Sequence, residues 1–177
     1  MSRLFNITSS VIAITGCALG TPAIAQNVSG TVDATITLTS ACEVNGSTGT
    51  SNVDFGTLDF GTHSTLFTSA TAQVNGNGSG EIAVQCSPGA DATLTFTGGL
   101  HDAAIGGSGR AMSDGTLFVP YDIYRDSAFN TVLANGASIT ITADGSIQHI
   151  PVYGRALGIS GLAAGTYTDT ISVMLAF

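Results

Sequence analysis

From residue 26 to residue 39 the chain alternates without a break. Val28, Gly30, Val32, Ala34, Ile36 and Leu38 fall on one face of an extended backbone, and Asn27, Ser29, Thr31, Asp33, Thr35, Thr37 and Thr39 on the other. Successive side chains of a strand point to opposite faces, so a period of two sustained over this length predicts a strand. The far end repeats the pattern: Tyr167, Ile171, Val173, Leu175 and Phe177 share one face, with Thr168, Thr170 and Ser172 opposite. Between them lie shorter strand-like runs at 53–60, 81–86, 92–97, 117–124, 138–142 and 147–153. Clusters such as Asn75-Gly76-Asn77-Gly78-Ser79-Gly80 and Gly106-Gly107-Ser108-Gly109 punctuate them as turns. Beyond residue 25 no stretch of ten or more residues carries a 3.6 period. The expectation is an all-β chain, a sandwich of seven or eight short strands. An antibody-type domain would add a core Trp, and the chain has no Trp.

Composition narrows the function. Only 9% of the 177 residues are charged, against about a quarter in an ordinary soluble domain. Twelve Asp and Glu oppose four Lys and Arg, for a net charge of −8, and no residue is Lys. A nucleic-acid binder needs clustered cations to neutralise phosphates, and an anionic-membrane binder needs a polybasic face; neither can be built here. With 44% apolar residues the chain is not disordered, and its length suits one domain with a core.

Residues 1–25 read as a secretory signal peptide. Arg3 supplies a weak positive start, Val11-Ile12-Ala13-Ile14 leads the apolar stretch, and Ala23-Ile24-Ala25 is a small-x-small site with cleavage after Ala25. Ser9, Ser10, Thr15 and Pro22 interrupt the run, so it falls short of the ~20 apolar residues of a membrane span. Ile14-Thr15-Gly16-Cys17 also resembles a bacterial lipoprotein box, which would instead leave a lipidated Cys17. Cleavage after Ala25 removes Arg3 and leaves Arg110, Arg125 and Arg155 against the same 12 acids, so the net charge moves from −8 to −9. Two cysteines then remain, Cys42 and Cys86. A pair in an exported chain reads as one disulfide, the alternative being two buried thiols. Closing a loop of this size would stabilise the fold by about 3–4 kcal/mol on the chain-entropy model.

Catalytic and metal-binding patterns are absent from the sequence. His63, His101 and His149 are scattered and read as surface or strand-edge residues. Gly78-Ser79-Gly80-Glu81-Ile82-Ala83 fits Gly-x-Gly-x-x-Ala, but a strand follows it rather than the helix a pyrophosphate needs. Asp122 and Asp126 flank Tyr124-Arg125 and read as a surface ion-pair region. No enzyme, cofactor, metal or small-molecule substrate is expected. The notable feature stays the long alternating segment 26–39. Periodicity leaves two readings open: an ordinary first strand, or a strand offered to another molecule whose sheet lacks one.

A resemblance bears on that choice. Ala41-Cys42, the echoed Asp54-Phe55-Gly56-Thr57 and Asp59-Phe60-Gly61-Thr62, Ile82-Ala83-Val84-Gln85-Cys86, Arg110-Ala111-Met112, Tyr121-Asp122-Ile123-Tyr124-Arg125-Asp126, Pro151-Val152-Tyr153-Gly154-Arg155 and Ala164-Gly165-Thr166-Tyr167-Thr168-Asp169-Thr170-Ile171-Ser172-Val173 together resemble a spore coat protein U domain. That family contains the pilin subunits of archaic chaperone–usher pili, and the single-domain length is similar to that of a major shaft subunit. The resemblance implies an incomplete immunoglobulin-like β-sandwich over 40–177, completed by donor-strand exchange. It implies that Val28, Gly30, Val32, Ala34, Ile36 and Leu38 form the inward face of a donor strand within 26–39. It implies an acceptor groove lined by Tyr167, Ile171, Val173, Leu175 and Phe177. The partners it implies are other copies of the chain or related pilins, a periplasmic chaperone and an outer-membrane usher. The destination is a bacterial surface fibre for adhesion and biofilm formation. Alternatives are a secreted, self-complete β-sandwich binding module, or a spore or outer-coat structural protein.

Overall fold

The computed structural model describes residues 26–76, 78, 80–104 and 109–177. The signal segment, its cleavage site and Cys17 lie outside the described residues. The chain divides into two units, 1–37 and 38–177.

In the first unit the described residues 26–37 hold no strand. Their apolar face is open to solvent: Val28 is 98%, Val32 96% and Ile36 82% exposed. A strand is defined by the ladder it makes with a neighbour, so a period of two is a capacity that this segment carries without using it.

The second unit is all-β. Its ten strands among the described residues are β1 (Cys42–Val44), β2 (Ser69–Gln73), β3 (Ile82–Cys86), β4 (Ala92–Phe96), β5 (Arg110–Ser113), β6 (Phe118–Tyr124), β7 (Ala137–Ile141), β8 (Ile147–Ile150), β9 (Tyr153–Leu157) and β10 (Val173–Ala176). One 3-10 turn, Asp102–Ala104, precedes β5. All pairings are antiparallel and build three sheets, β1-β3-β8, β10-β4-β7 and β2-β9-β6-β5. The alternation read from the sequence is the alternation of burial. Ile82, Val84 and Cys86 of β3, Leu94 and Phe96 of β4, Val119, Tyr121 and Ile123 of β6, and Ile139 and Ile141 of β7 are buried in one continuous core. The three sheets thus share one apolar interior, as the faces of a sandwich do.

Two of the shorter expected strands also come out differently, each for a local reason. The run 53–60 forms no strand and makes one isolated bridge, Thr57–Asn75. Its echoed motif is a repeated turn: the Gly56 N–H donates to Asp54 Oδ1 and the Gly61 N–H to Asp59 Oδ1, each at 2.8 Å. Both glycines have positive φ, 115° and 77°, the region that favours glycine. The turns break the ladder while still presenting Phe55, Leu58 and Phe60 to the core. The run 147–153 splits into β8 and the start of β9, and Pro151, which has no N–H to donate, sits in the break. Cys42 and Cys86 are joined by a disulfide across directly paired positions of β1 and β3, Cα atoms 4.0 Å apart.

Candidate functional site

A long cleft of about 1070 Å³ opens in the second unit. Its position follows from the sheet order. Among the described residues β10 ends one three-stranded sheet and pairs only with β4, while β1 ends another and pairs only with β3. Residues of both edge strands line the cleft, among them Cys42, Val44, Val173 and Leu175. The turn-rich stretch 53–60 contributes Val53, Phe55, Leu58 and Phe60 to the lining, and Ile82, Phe96 and Ile123 reach it from the core strands. A cleft flanked by strand edges and lined with aliphatic and aromatic side chains has two unmet needs. Its apolar surface is wet, and β10 has backbone groups with no ladder on one side.

Tyr167, Ile171, Val173, Leu175 and Phe177 all line this cleft. Tyr167, Ile171, Val173 and Leu175 are half-buried against the core, whereas Thr168, Thr170, Ser172 and Met174 between them are exposed. Only Val173–Ala176 is a strand. Upstream of it the backbone is held by single contacts: Ser113 and Thr168 exchange hydrogen bonds of 2.9 Å, and the Thr97 N–H donates to Ser172 O at 2.9 Å. The residues Val28, Gly30, Val32, Ala34, Ile36 and Leu38 are all exposed.

One residue of the cleft wall escaped the sequence reading. Asp169 sits at an inward-facing position between Tyr167 and Ile171, and its side chain is only 2% exposed. Its carboxylate accepts hydrogen bonds from Tyr121 Oη at 2.7 Å, the Leu100 N–H at 2.8 Å and His101 Nδ1 at 3.3 Å. Burial, then the hydrogen bond to Asp169 and its negative charge, push the Tyr121 phenol well above its ordinary pKa, so it stays a neutral donor. A side chain at Gly99 would collide with the Asp169 carboxylate. Asp169 thereby ties the approach to β10 to the 99–101 loop and to β6. The one hint in the sequence is its register: a carboxylate on the apolar face of a period-two segment must be satisfied from within.

A second buried charge lies on β5. Arg110 is 1% exposed, and its guanidinium donates to Leu133 O at 2.8 Å and Thr97 O at 3.1 Å. Arg155 lies over the rings of Tyr124 and Phe129, 5.2 and 5.4 Å from their centroids, and donates to Tyr124 Oη at 3.0 Å. The histidines are spread across the unit. His63 Nε2 donates to Phe60 O at 2.7 Å, His101 meets Asp169, and His149 stands 3.5 Å from Glu81. Among the described residues no three metal-ligating side chains converge.

The sequence matches the family described as Spore Coat Protein U domain over residues 28–174. The chain belongs to that family. The match takes in most of the alternating N-terminal segment together with the sandwich as far as Met174 in β10. A curated relative, Protein U of Myxococcus xanthus, is 27% identical over 186 residues, covering 100% of both chains. Among solved structures, the chain is similar to one in the crystal structure of the CsuC–CsuE chaperone–tip adhesion subunit pre-assembly complex from archaic chaperone–usher Csu pili of Acinetobacter baumannii. That likeness has a TM-score of 0.47 and 21% identity, and it covers 80% of this chain and 40% of the other.

Proposed function

We propose that this spore coat protein U domain chain is an exported structural subunit that assembles head to tail by donor-strand exchange. Residues 1–25 direct export and are removed after Ala25. Residues 26–39 then form the donor strand, and the sandwich of residues 40–177, an incomplete immunoglobulin-like fold, receives the donor strand of the next copy in its cleft. The observation that carries the reading is the cleft itself. Its apolar wall of Tyr167, Ile171, Val173, Leu175 and Phe177 lies beside a β10 edge that lacks a ladder partner. The same chain carries an alternating segment with its apolar face exposed. A strand with Val28, Gly30, Val32, Ala34, Ile36 and Leu38 on one face answers both needs of the cleft at once, side chains for its lining and amide groups for its edge.

Such insertion is heterologous: the donor of one copy meets the acceptor of the next, the rotation does not close, and a filament results. Before assembly the open cleft needs a cap, which is the task of a periplasmic chaperone; an outer-membrane usher is the site of exchange. The fibre serves adhesion and biofilm formation at the bacterial surface. A second reading, a spore or outer-coat structural protein, is favoured by the end-to-end match to Protein U. It shares the assembly step and differs in destination. Co-expression of the chain with its chaperone, followed by removal of residues 26–39, separates assembly from folding. The truncated chain is expected to remain bound to the chaperone and to form no polymer. A truncated chain that polymerises normally contradicts the reading.

A further inference from the structure

Cleavage after Ala25 makes Gln26 the first residue of the mature chain, and the inference that follows rests on that reading. Gln26, Asn27 and Val28 are all exposed. Within 26–39 the only ionisable side chain is Asp33, on the polar face. Because the chain has no Lys, the α-amine of Gln26 would be the sole primary amine of the mature protein. It would also be the sole charge on the first seven residues, two positions before Val28, where the apolar face begins.

We propose that Gln26 is a modification site, cyclised to pyroglutamate. The α-amino nitrogen, in its unprotonated form, attacks Cδ of its own side-chain carboxamide. A new N–Cδ bond closes a five-membered lactam, the Cδ–Nε2 bond breaks, and ammonia leaves carrying the proton given up by the amine. The step is intramolecular and balanced, with no oxidant or co-reactant. An α-amino group has a pKa near ~8, so the reactive form is populated close to neutral pH. Exposure leaves the ring-closing geometry free of packing constraints.

Two consequences follow for the same segment. An ammonium is costly to remove from water without a partner, and cyclisation deletes it just where a strand must enter an apolar cleft. The mature protein is also left without any primary amine. Its remaining cations are arginines, of which Arg110 is buried and Arg155 is covered by two rings.

The test uses full-length protein recovered from the cell surface. It is labelled with an amine-reactive N-hydroxysuccinimide ester before any acidic work-up, then examined by mass spectrometry of its N-terminal peptide. Wild type is expected to take no label and to begin at residue 26 with a mass one ammonia short, released by pyroglutamyl aminopeptidase. Gln26→Ala is expected to take one label. A labelled wild-type peptide of full mass beginning at Gln26 overturns the cyclisation and leaves the export reading standing. A chain beginning at Cys17 or Met1 overturns both.

Discussion

Asp169 holds the cleft wall through three hydrogen bonds from groups on two other segments, Tyr121 and the pair Leu100 and His101. An amide at this position keeps the size but brings a donor into a nest of donors, leaving a buried polar group unpaired. Asp169→Asn is therefore expected to lower stability by about 1–3 kcal/mol, read as a lower denaturation midpoint at unchanged slope. Gly99→Ala should do the same from the other side of the contact. The disulfide gives a second expectation. Replacing Cys42 and Cys86 by Ser should cost about 3–4 kcal/mol by releasing the loop in the unfolded chain, and reductant should reproduce the loss in wild type. Acid should destabilise the fold through the turn aspartates. Backbone N–H groups of Leu117 and Thr116 hold Asp114 below its ordinary pKa, those of Asn130 and Thr131 do so for Asp126, and Ser146 does so for Asp144. A depressed folded-state pKa contributes stability above the unfolded value, near ~4, that is lost as pH falls through the folded one. Asp122 works the other way. Burial raises its pKa despite Arg110 and Arg155, so its contribution is present below the unfolded value and lost as pH rises through the folded one. Three aspartates against one give the sign: thermal melts should fall from pH ~5 to pH ~2, and Asp122→Asn should raise stability at neutral pH and leave it unchanged at the acid end.

Among the elements, the strands with large alternating side chains were legible. β3, β4, β6 and β7 each set two or three of Ile, Leu, Val, Phe or Tyr on the inward face, and that is what a period-two reading detects. β2, with the sequence Ser-Ala-Thr-Ala-Gln, and β9, with Gly154 and Ala156 facing inward, were not legible, because their inward residues are too small to mark a face. The reason for small residues at β9 is packing. A Cβ on Gly154 would stand 2.5 Å from Leu58 Cδ2 and 2.9 Å from Phe60 Cζ, so the turn-rich stretch 53–60 rests where a side chain is missing. Gly154→Val should displace that stretch from the cleft and destabilise the unit by about 1–3 kcal/mol, visible as increased hydrogen exchange over 53–60. Apolar residues in that stretch misled the strand reading, since Asp54 and Asp59 convert the alternation into turns. The apolar face of Tyr167, Ile171, Val173, Leu175 and Phe177 was legible because these residues keep strict register, and all five line the cleft. Asp169, in the same register, was not, because a carboxylate there makes sense only once Tyr121 and Leu100, distant in sequence, are beside it. Arg110 was missed for the same reason: its acceptors, Leu133 O and Thr97 O, are backbone groups that no side-chain periodicity brings together.

For the whole molecule, the two halves of the proposed assembly lie at opposite ends of one chain, an exposed alternating segment before the sandwich and an apolar cleft walled by the last strand. In that account part of the chain's 44% apolar content is buried only by the next copy. A charge on the donor face should therefore stop assembly without touching the sandwich. Ile36→Asp is expected to leave the Cys42–Cys86 disulfide and chaperone binding intact and to abolish polymer. The decisive measurement is electron microscopy of material shed from cells that express the chain with its chaperone and usher, with and without residues 26–39. The account predicts fibres from the full chain and none from the truncated one, although both fold and reach the periplasm. Fibres of equal number and length from the chain lacking 26–39 would contradict it.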